Sequence, residues 1–199
     1  CEYTNSFLHF LPKISIILNI DADHLDFFKD LDDIRSSFRR FAQLLPSDGA
    51  LIINGNIPDL EGFTEGLPCR VISYGMDSSF DYAAVNLSYG TDGAVSFDFI
   101  KEGIFVDRIS LSVNGEHNVQ NALASLAVAD LLHLPLEVSK QGLKDFKGTD
   151  RRFQHKGEFH GVTVIDDYAH HPTEIKATLE AAAHYPHRQL WCVFQPHTY

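Results

Sequence analysis

The chain has 199 residues, 44% of them hydrophobic, and carries 27 acidic against 16 basic side chains for a net charge of −11. That length suffices for a buried core in one or two domains, and the acid excess leaves no basic stripe for a phosphate backbone, which argues against nucleic acid as a partner. Cys1, Cys69 and Cys192 are widely spaced without CxxC pairs, so a reducing cytoplasm fits better than a disulfide framework, and no signal peptide or membrane-length apolar run is visible.

Residues 13–20, Lys-Ile-Ser-Ile-Ile-Leu-Asn-Ile, form a near-continuous apolar run of the kind found in strands buried on both faces of a parallel sheet. Ile34, Phe38, Phe41 and Leu45 recur at helical spacing over 31–45, and Pro46 and Gly49 end that helix. A short buried strand is predicted over 50–53, a helix near 58–65 and a third strand over 70–74. Strand, helix and strand in alternation mean crossover units on a parallel sheet. The texture changes over 81–113. Val95, Phe97 and Phe99 alternate with polar residues, as do Ile109, Leu111 and Val113, and turn residues around Gly93 and Gly103 separate the runs. This pattern predicts an antiparallel meander.

Beyond Gly115, residues 118–133 are rich in alanine and leucine and read as a helix, with a shorter one over 136–145. The charged, glycine-punctuated stretch 146–152 is the expected domain boundary, dividing the chain into 1–151 and 152–199. After it, strand 162–165, helix 173–184 and strand 190–194 are expected to form one more crossover unit. The chain opens at Cys1 shortly before its first strand and stops at Tyr199 shortly after its last, so it reads as a piece of a longer protein.

Four segments carry groups suited to chemistry. Asn19-Ile-Asp-Ala-Asp-His-Leu-Asp26 follows a buried strand, and ligands of parallel sheets bind beyond the carboxyl ends of strands. Its Asp21, Asp23, His24 and Asp26 suit a divalent metal, although an acidic loop capping the next helix would look the same. Gly115-Glu-His-Asn-Val-Gln-Asn121 opens a helix on which Asn118 and Asn121 share a face, and amides can match the edge of a purine. Asparagine at a helix start can equally be a cap. Arg151 and Arg152 at the boundary could reach a phosphate held between domains, or form a solvated basic pair. Finally, Ile165-Asp-Asp-Tyr-Ala-His-His-Pro-Thr-Glu-Ile175 crowds carboxylates and imidazoles at a strand-to-helix turn, where backbone donors favour anions. A surface turn with proline at the first helical position is the plainer reading of that segment.

In this order, Cys-Glu-Tyr-Thr-Asn-Ser-Phe-Leu-His-Phe at 1–10, the 19–26 and 115–121 segments, Gly-Thr-Asp-Arg-Arg-Phe-Gln at 148–154, the 166–175 turn and Phe-Gln-Pro-His at 194–197 closely resemble the Mur ligase family. The resemblance implies an α/β fold: a mostly parallel sheet with flanking helices plus the meander, followed by the start of a Rossmann-like C-terminal domain. It implies a ligase that uses ATP and Mg2+ to activate a carboxylate as an acyl phosphate, which an amine then attacks. By position, Glu2 and His24 match metal-binding residues, while Asn118 and Asn121, with His117 beside them, match those holding adenine. Arg152 matches a linker arginine near the phosphates and Asp167 an acid that meets the ribose. Tyr168, His170 and His171 lie where acceptor and phosphates meet.

Within the family, the 166–168 and 172–174 residues fit best the members that join L-alanine to UDP-N-acetylmuramate in the cytoplasm. The alternative is the branch that joins a preformed tripeptide to the same sugar nucleotide. A non-catalytic binding module on the same fold is a third reading. No G-x-x-x-x-G-K-[ST] phosphate loop occurs in the 199 residues, so this stretch alone is expected to be inactive and to hold ATP weakly.

Overall fold

A computed structural model describes residues 4–196. The chain builds β1 (Ile14–Ile17), α1 (Leu31–Ala42), β2 (Ala50–Asn54), α2 (Leu60–Thr64), β3 (Arg70–Gly75), β4 (Tyr82–Tyr89), β5 (Ala94–Lys101), β6 (Ile104–Asn114), α3 (Glu116–Leu131), α4 (Leu136–Asp145), β7 (Gln154–Phe159), β8 (Val162–Asp166) and α5 (Pro172–Ala183). The first six strands form one sheet in chain order. β1, β2 and β3 pair in parallel, β3 meets β4 in parallel at two positions, and β4, β5 and β6 form the antiparallel meander. The parallel and antiparallel halves therefore share one continuous sheet.

Strand alternation divides the core between the two faces of this sheet. Leu51 and Ile53 of β2 pack with Ile17, Leu45 and Phe63 on the face covered by α1 and α2. Ala50 and Ile52 point the other way, joining Ile72, Tyr74, Phe97 and Ile109 beneath Val119, Leu123, Leu126 and Ala127 of α3. All of β2 is buried, as its unbroken apolar sequence requires. α1 starts where the Asp30 side chain accepts from the Asp33 amide at 3.0 Å, a cap that satisfies one orphan donor.

Three elements differ from expectation. The first strand is shorter than 13–20 and lies at the edge of the sheet, and Ile16 and Leu18 are exposed. β7 was not anticipated: its Gln-His-Lys-Gly-Glu-Phe is polar and interrupted by glycine, yet it pairs antiparallel with β8. Residues 190–194 form no strand and lie unpaired, with Val193 fully in solvent. An apolar run becomes a strand only where a neighbouring strand accepts its ladder of hydrogen bonds. β8 thus closes a hairpin with β7 and is followed by a helix, rather than opening a crossover unit.

Because α3 spans the sheet, truncation of its central side chain is the sharpest test of this packing. Leu123 is fully buried. Leu123→Ala is expected to cost about 2–5 kcal/mol in urea unfolding with an unchanged denaturant slope. A loss below about 1 kcal/mol, the size of a typical surface effect, would contradict the burial.

Candidate active site

The carboxyl ends of β1 and β2, the first turns of α3, the 146–153 linker and the start of α5 enclose a cleft of about 1340 Å³. At its floor, the Asn54 amide donates to the Leu18 carbonyl at 3.1 Å and to Gln120 Oε1 at 2.8 Å, tying β1, β2 and α3 together. A polar residue closing an otherwise apolar strand was the only sequence signal for Asn54.

Of the residues singled out in the sequence, His24, His117, Asn118, Asn121, Arg152, Asp167 and His171 line this cleft. They come from four separate stretches of chain. Tyr168 and His170 are not among its wall residues; the Arg151 guanidinium lies 4.1 Å from the Tyr168 ring centre, and the His170 amide donates to Glu174 at 3.3 Å. Glu2 lies outside the described residues. Thr173 and Glu174 also line the cleft, although the sequence assigned them no role; both sit in the first turn of α5, immediately behind Pro172.

The α3 wall begins at Gly115, whose φ of +90° suits glycine. A β-carbon there would meet the His117 ring at 2.6 Å and Ala181 of α5 at 3.0 Å. Asn118 donates its amide to the Asn114 carbonyl at 2.8 Å, and the Asn121 amide reaches Asn118 Oδ1 at 3.4 Å. The two amides therefore do share a face. His117 Nδ1 is buried and has no hydrogen-bond partner among the described residues. Burial pushes the His117 pKa down, the Asp167 carboxylate opposes this, and the Arg152 guanidinium adds to it.

On the opposite wall, Asp167 is held by two backbone amides, Phe153 N–H at 2.8 Å and Ala169 N–H at 2.8 Å. This fastens the linker to the turn. An ionised carboxylate accepts about four hydrogen bonds, so both oxygens keep a free lone pair. Arg152 Nη1 lies 3.4 Å from Glu174 Oε1. Burial would raise the Glu174 pKa, but the His170 amide and the Arg152 charge outweigh it and hold the carboxyl below its ordinary range. His171 caps α5, its Nδ1 accepting from the Thr173 amide at 3.3 Å, while its Nε2 lies 3.1 Å from the Ala22 carbonyl.

The acidic loop does not behave as a metal cluster. Asp21 turns to α5, where its Oδ2 accepts from the Thr173 hydroxyl at 2.6 Å. That bond, set against desolvation and supported by the Ala22 amide and His171, holds the Asp21 pKa low. Asp23 and His24 approach to 3.7 Å. Among the described residues, no three His, Cys, Asp or Glu side chains gather where they could hold one ion. The described residues alone thus do not make up a magnesium site.

The comparisons with known proteins follow the two sheets. Residues 4–129 match the family model described as the Mur ligase middle domain, and residues 151–198 match that of the Mur ligase, glutamate ligase domain. Over its whole length the chain is 54% identical to the UDP-N-acetylmuramate–L-alanine ligase of Lachnoclostridium phytofermentans, of which it spans 45%. Among solved structures, the UDP-N-acetylmuramate-alanine ligase MurC of Thermotoga maritima superimposes with a TM-score of 0.76 at 28% identity, over 92% of this chain and 41% of that one. The UDP-N-acetylmuramate:L-alanyl-γ-D-glutamyl-meso-diaminopimelate ligase of Neisseria meningitides gives 0.63 at 28% identity, over 73% of this chain and 43% of that one. The chain spans less than half the length of these relatives.

The half-buried imidazole of His117 makes the cleft testable without any ligand. With its folded pKa depressed, His117 stays neutral where the unfolded chain takes up a proton, near pH 6.5. Its contribution to stability is therefore present above that pH and lost as pH falls below it. An NMR titration is expected to place the His117 midpoint below 6.5; a midpoint at or above 6.5 would show the ring to be solvated.

Proposed function

The chain belongs to the Mur ligase family, and on that premise we propose that it supplies part of an ATP-dependent ligase joining L-alanine to UDP-N-acetylmuramate, a step of peptidoglycan precursor synthesis in the cytoplasm. The observation that carries this reading is the cleft itself. It sets the α3 amides against Arg152 and Asp167, as an adenosine triphosphate demands. The division into 1–151 and 152–199 belongs to the same reading and is supported by the two separate sheets.

In this reading, Asn118 and Asn121 present donor and acceptor groups to the adenine edge, and His117 closes the pocket behind them. The free lone pairs of Asp167 accept from ribose hydroxyls. The substrate carboxylate attacks the terminal phosphorus, ADP leaves, and an acyl phosphate forms. The amine of L-alanine then adds to the acyl carbon, and the tetrahedral intermediate expels phosphate as the amine loses its proton. Arg152 meets charge on the transferring phosphoryl oxygens, leaving its loose 3.4 Å contact with Glu174 to do so. His170, His171 and Tyr168 are assigned to the acceptor side. Magnesium enters only as the counterion of ATP, with Glu2 and His24 as the residues assigned to it.

L-Alanine is favoured over a preformed tripeptide because the name of the 54%-identical relative gives that acceptor. The tripeptide alternative, supported by the Neisseria structure, is a matter for competition between the two acceptors. The intact protein containing this chain is expected to release ADP and phosphate only when UDP-N-acetylmuramate and L-alanine are both present. Arg152→Ala is expected to lower kcat roughly 10²–10³-fold, the usual cost of a lost transition-state donor. Release with the tripeptide but not with alanine would transfer the assignment to the second branch, and no release with either would overturn it.

A further inference from the structure

The contact between the 19–26 loop and α5 is built from side chains about 150 positions apart in the chain. Asp21 Oδ2 accepts from the Thr173 hydroxyl at 2.6 Å, and the His171 ring sits with Nε2 3.1 Å from the Ala22 carbonyl. One tautomer serves both ends of that ring. With hydrogen on Nε2, His171 donates to Ala22 and keeps Nδ1 free to accept the Thr173 amide that starts α5. Its Nδ1 also lies 3.7 Å from Asp21 Oδ2. Asp21, His171 and Thr173 all line the cleft, so the contact crosses its mouth.

A second seat lies at the far end of α5. Ala181 is buried against Gly115, and the His184 ring stacks on Tyr89 of β4 at 4.0 Å with the planes 9° apart. The helix is thus held at both ends, by an apolar and aromatic seat near its C-terminus and by directional hydrogen bonds at its N-terminus. Packing of the first kind tolerates rocking, whereas the Asp21–Thr173 bond is short and directional and does not. The bond that closes the mouth is therefore the one that fixes the angle of α5.

We propose that Asp21 and Thr173 are positioning residues: their hydrogen bond, with His171 docked on Ala22, latches α5 across the cleft and sets the distance between the α3 wall and the acceptor side. This assigns Asp21 to the docking of α5 instead of to a metal. It rests on the ligase reading only for its kinetic consequence, since the latch itself can be followed without catalysis.

The test uses the intact protein, with Thr173→Val, Thr173→Ser, Asp21→Ala and the Thr173→Val/Asp21→Ala double variant. Without substrates, amide hydrogen exchange in 171–175 and 19–22 is expected to quicken about tenfold in Thr173→Val, the effect of losing one charge-assisted bond, and to return in Thr173→Ser. In turnover, Thr173→Val and Asp21→Ala are each expected to raise KM for the acceptor with a smaller effect on kcat, and Thr173→Ser to keep the wild-type KM. The double variant is expected to be no worse than either single, and half-saturation by Mg2+ to stay unchanged. Wild-type exchange in Thr173→Val would overturn the latch. So would additive KM effects, or a raised Mg2+ requirement in Asp21→Ala alone. An intact protein that turns nothing over defeats the ligase reading, and the exchange arm still decides the latch.

Discussion

Burial of one face of α3 against the six-stranded sheet is the interaction on which the rest of the molecule depends. Val119, Leu123, Leu126 and Ala127 lie on Ile52, Ile72 and Phe97, so the helix can rotate only at the expense of its core contacts. With that face fixed, helical periodicity leaves Asn118 and Asn121 no place but the cleft. The same constraint sets the helix start. Gly115 turns the chain out of β6 with no side chain in the way, and the space a β-carbon would fill is occupied by the His117 ring and Ala181. One helix thereby provides the core of the first sheet, a wall of the cleft and the seat for α5.

The cleft shares the acidity of the whole chain: Asp21, Asp23, Glu116, Asp167, Glu174 and Glu180 line it beside Lys147 and Arg152. A net charge of −11 would disfavour a polyphosphate at long range. Locally, Arg152 stands in the wall with Lys147 nearby, and the acids beside them are engaged by other partners. Asp21 is bound to Thr173, Asp167 to two backbone amides, and Glu174 to the His170 amide as well as Arg152. A buried imidazole nitrogen, unpartnered among the described residues, adds a polar atom that a ligand or water would satisfy at little cost.

Legibility from the sequence followed how local each signal was. α1 was readable because its apolar residues repeat at helical spacing, β2 and β3 as short apolar runs, and α3 from its alanine and leucine content. The meander was readable because Val95, Phe97 and Phe99 alternate inward along β5, as the burial pattern of that strand bears out. β7 was not, because its residues are mostly polar and the run is broken by glycine, so that only its pairing with β8 makes it a strand. Residues 190–194 misled for the opposite reason, having strand composition without a strand beside them. In the site, the residues quoted for the motifs, His117, Asn118, Asn121, Arg152 and Asp167, meet in one cleft, whereas the groups of the acidic loop turn to different partners. Carboxylates close in sequence suggest a common ion, and only the fold reveals that Asp21 spends its oxygen on a hydroxyl 152 positions away.

The central claim is that this cleft holds the nucleotide, with the base on α3 and the phosphates toward the linker. A crystal structure of the intact protein with a non-hydrolysable ATP analogue tests it most directly. The account predicts the adenine within hydrogen-bond reach of Asn118 or Asn121, the ribose beside Asp167, and the terminal phosphate facing Arg152. An analogue bound elsewhere, with the α3 amides still paired only to Asn114 and to each other, would contradict it.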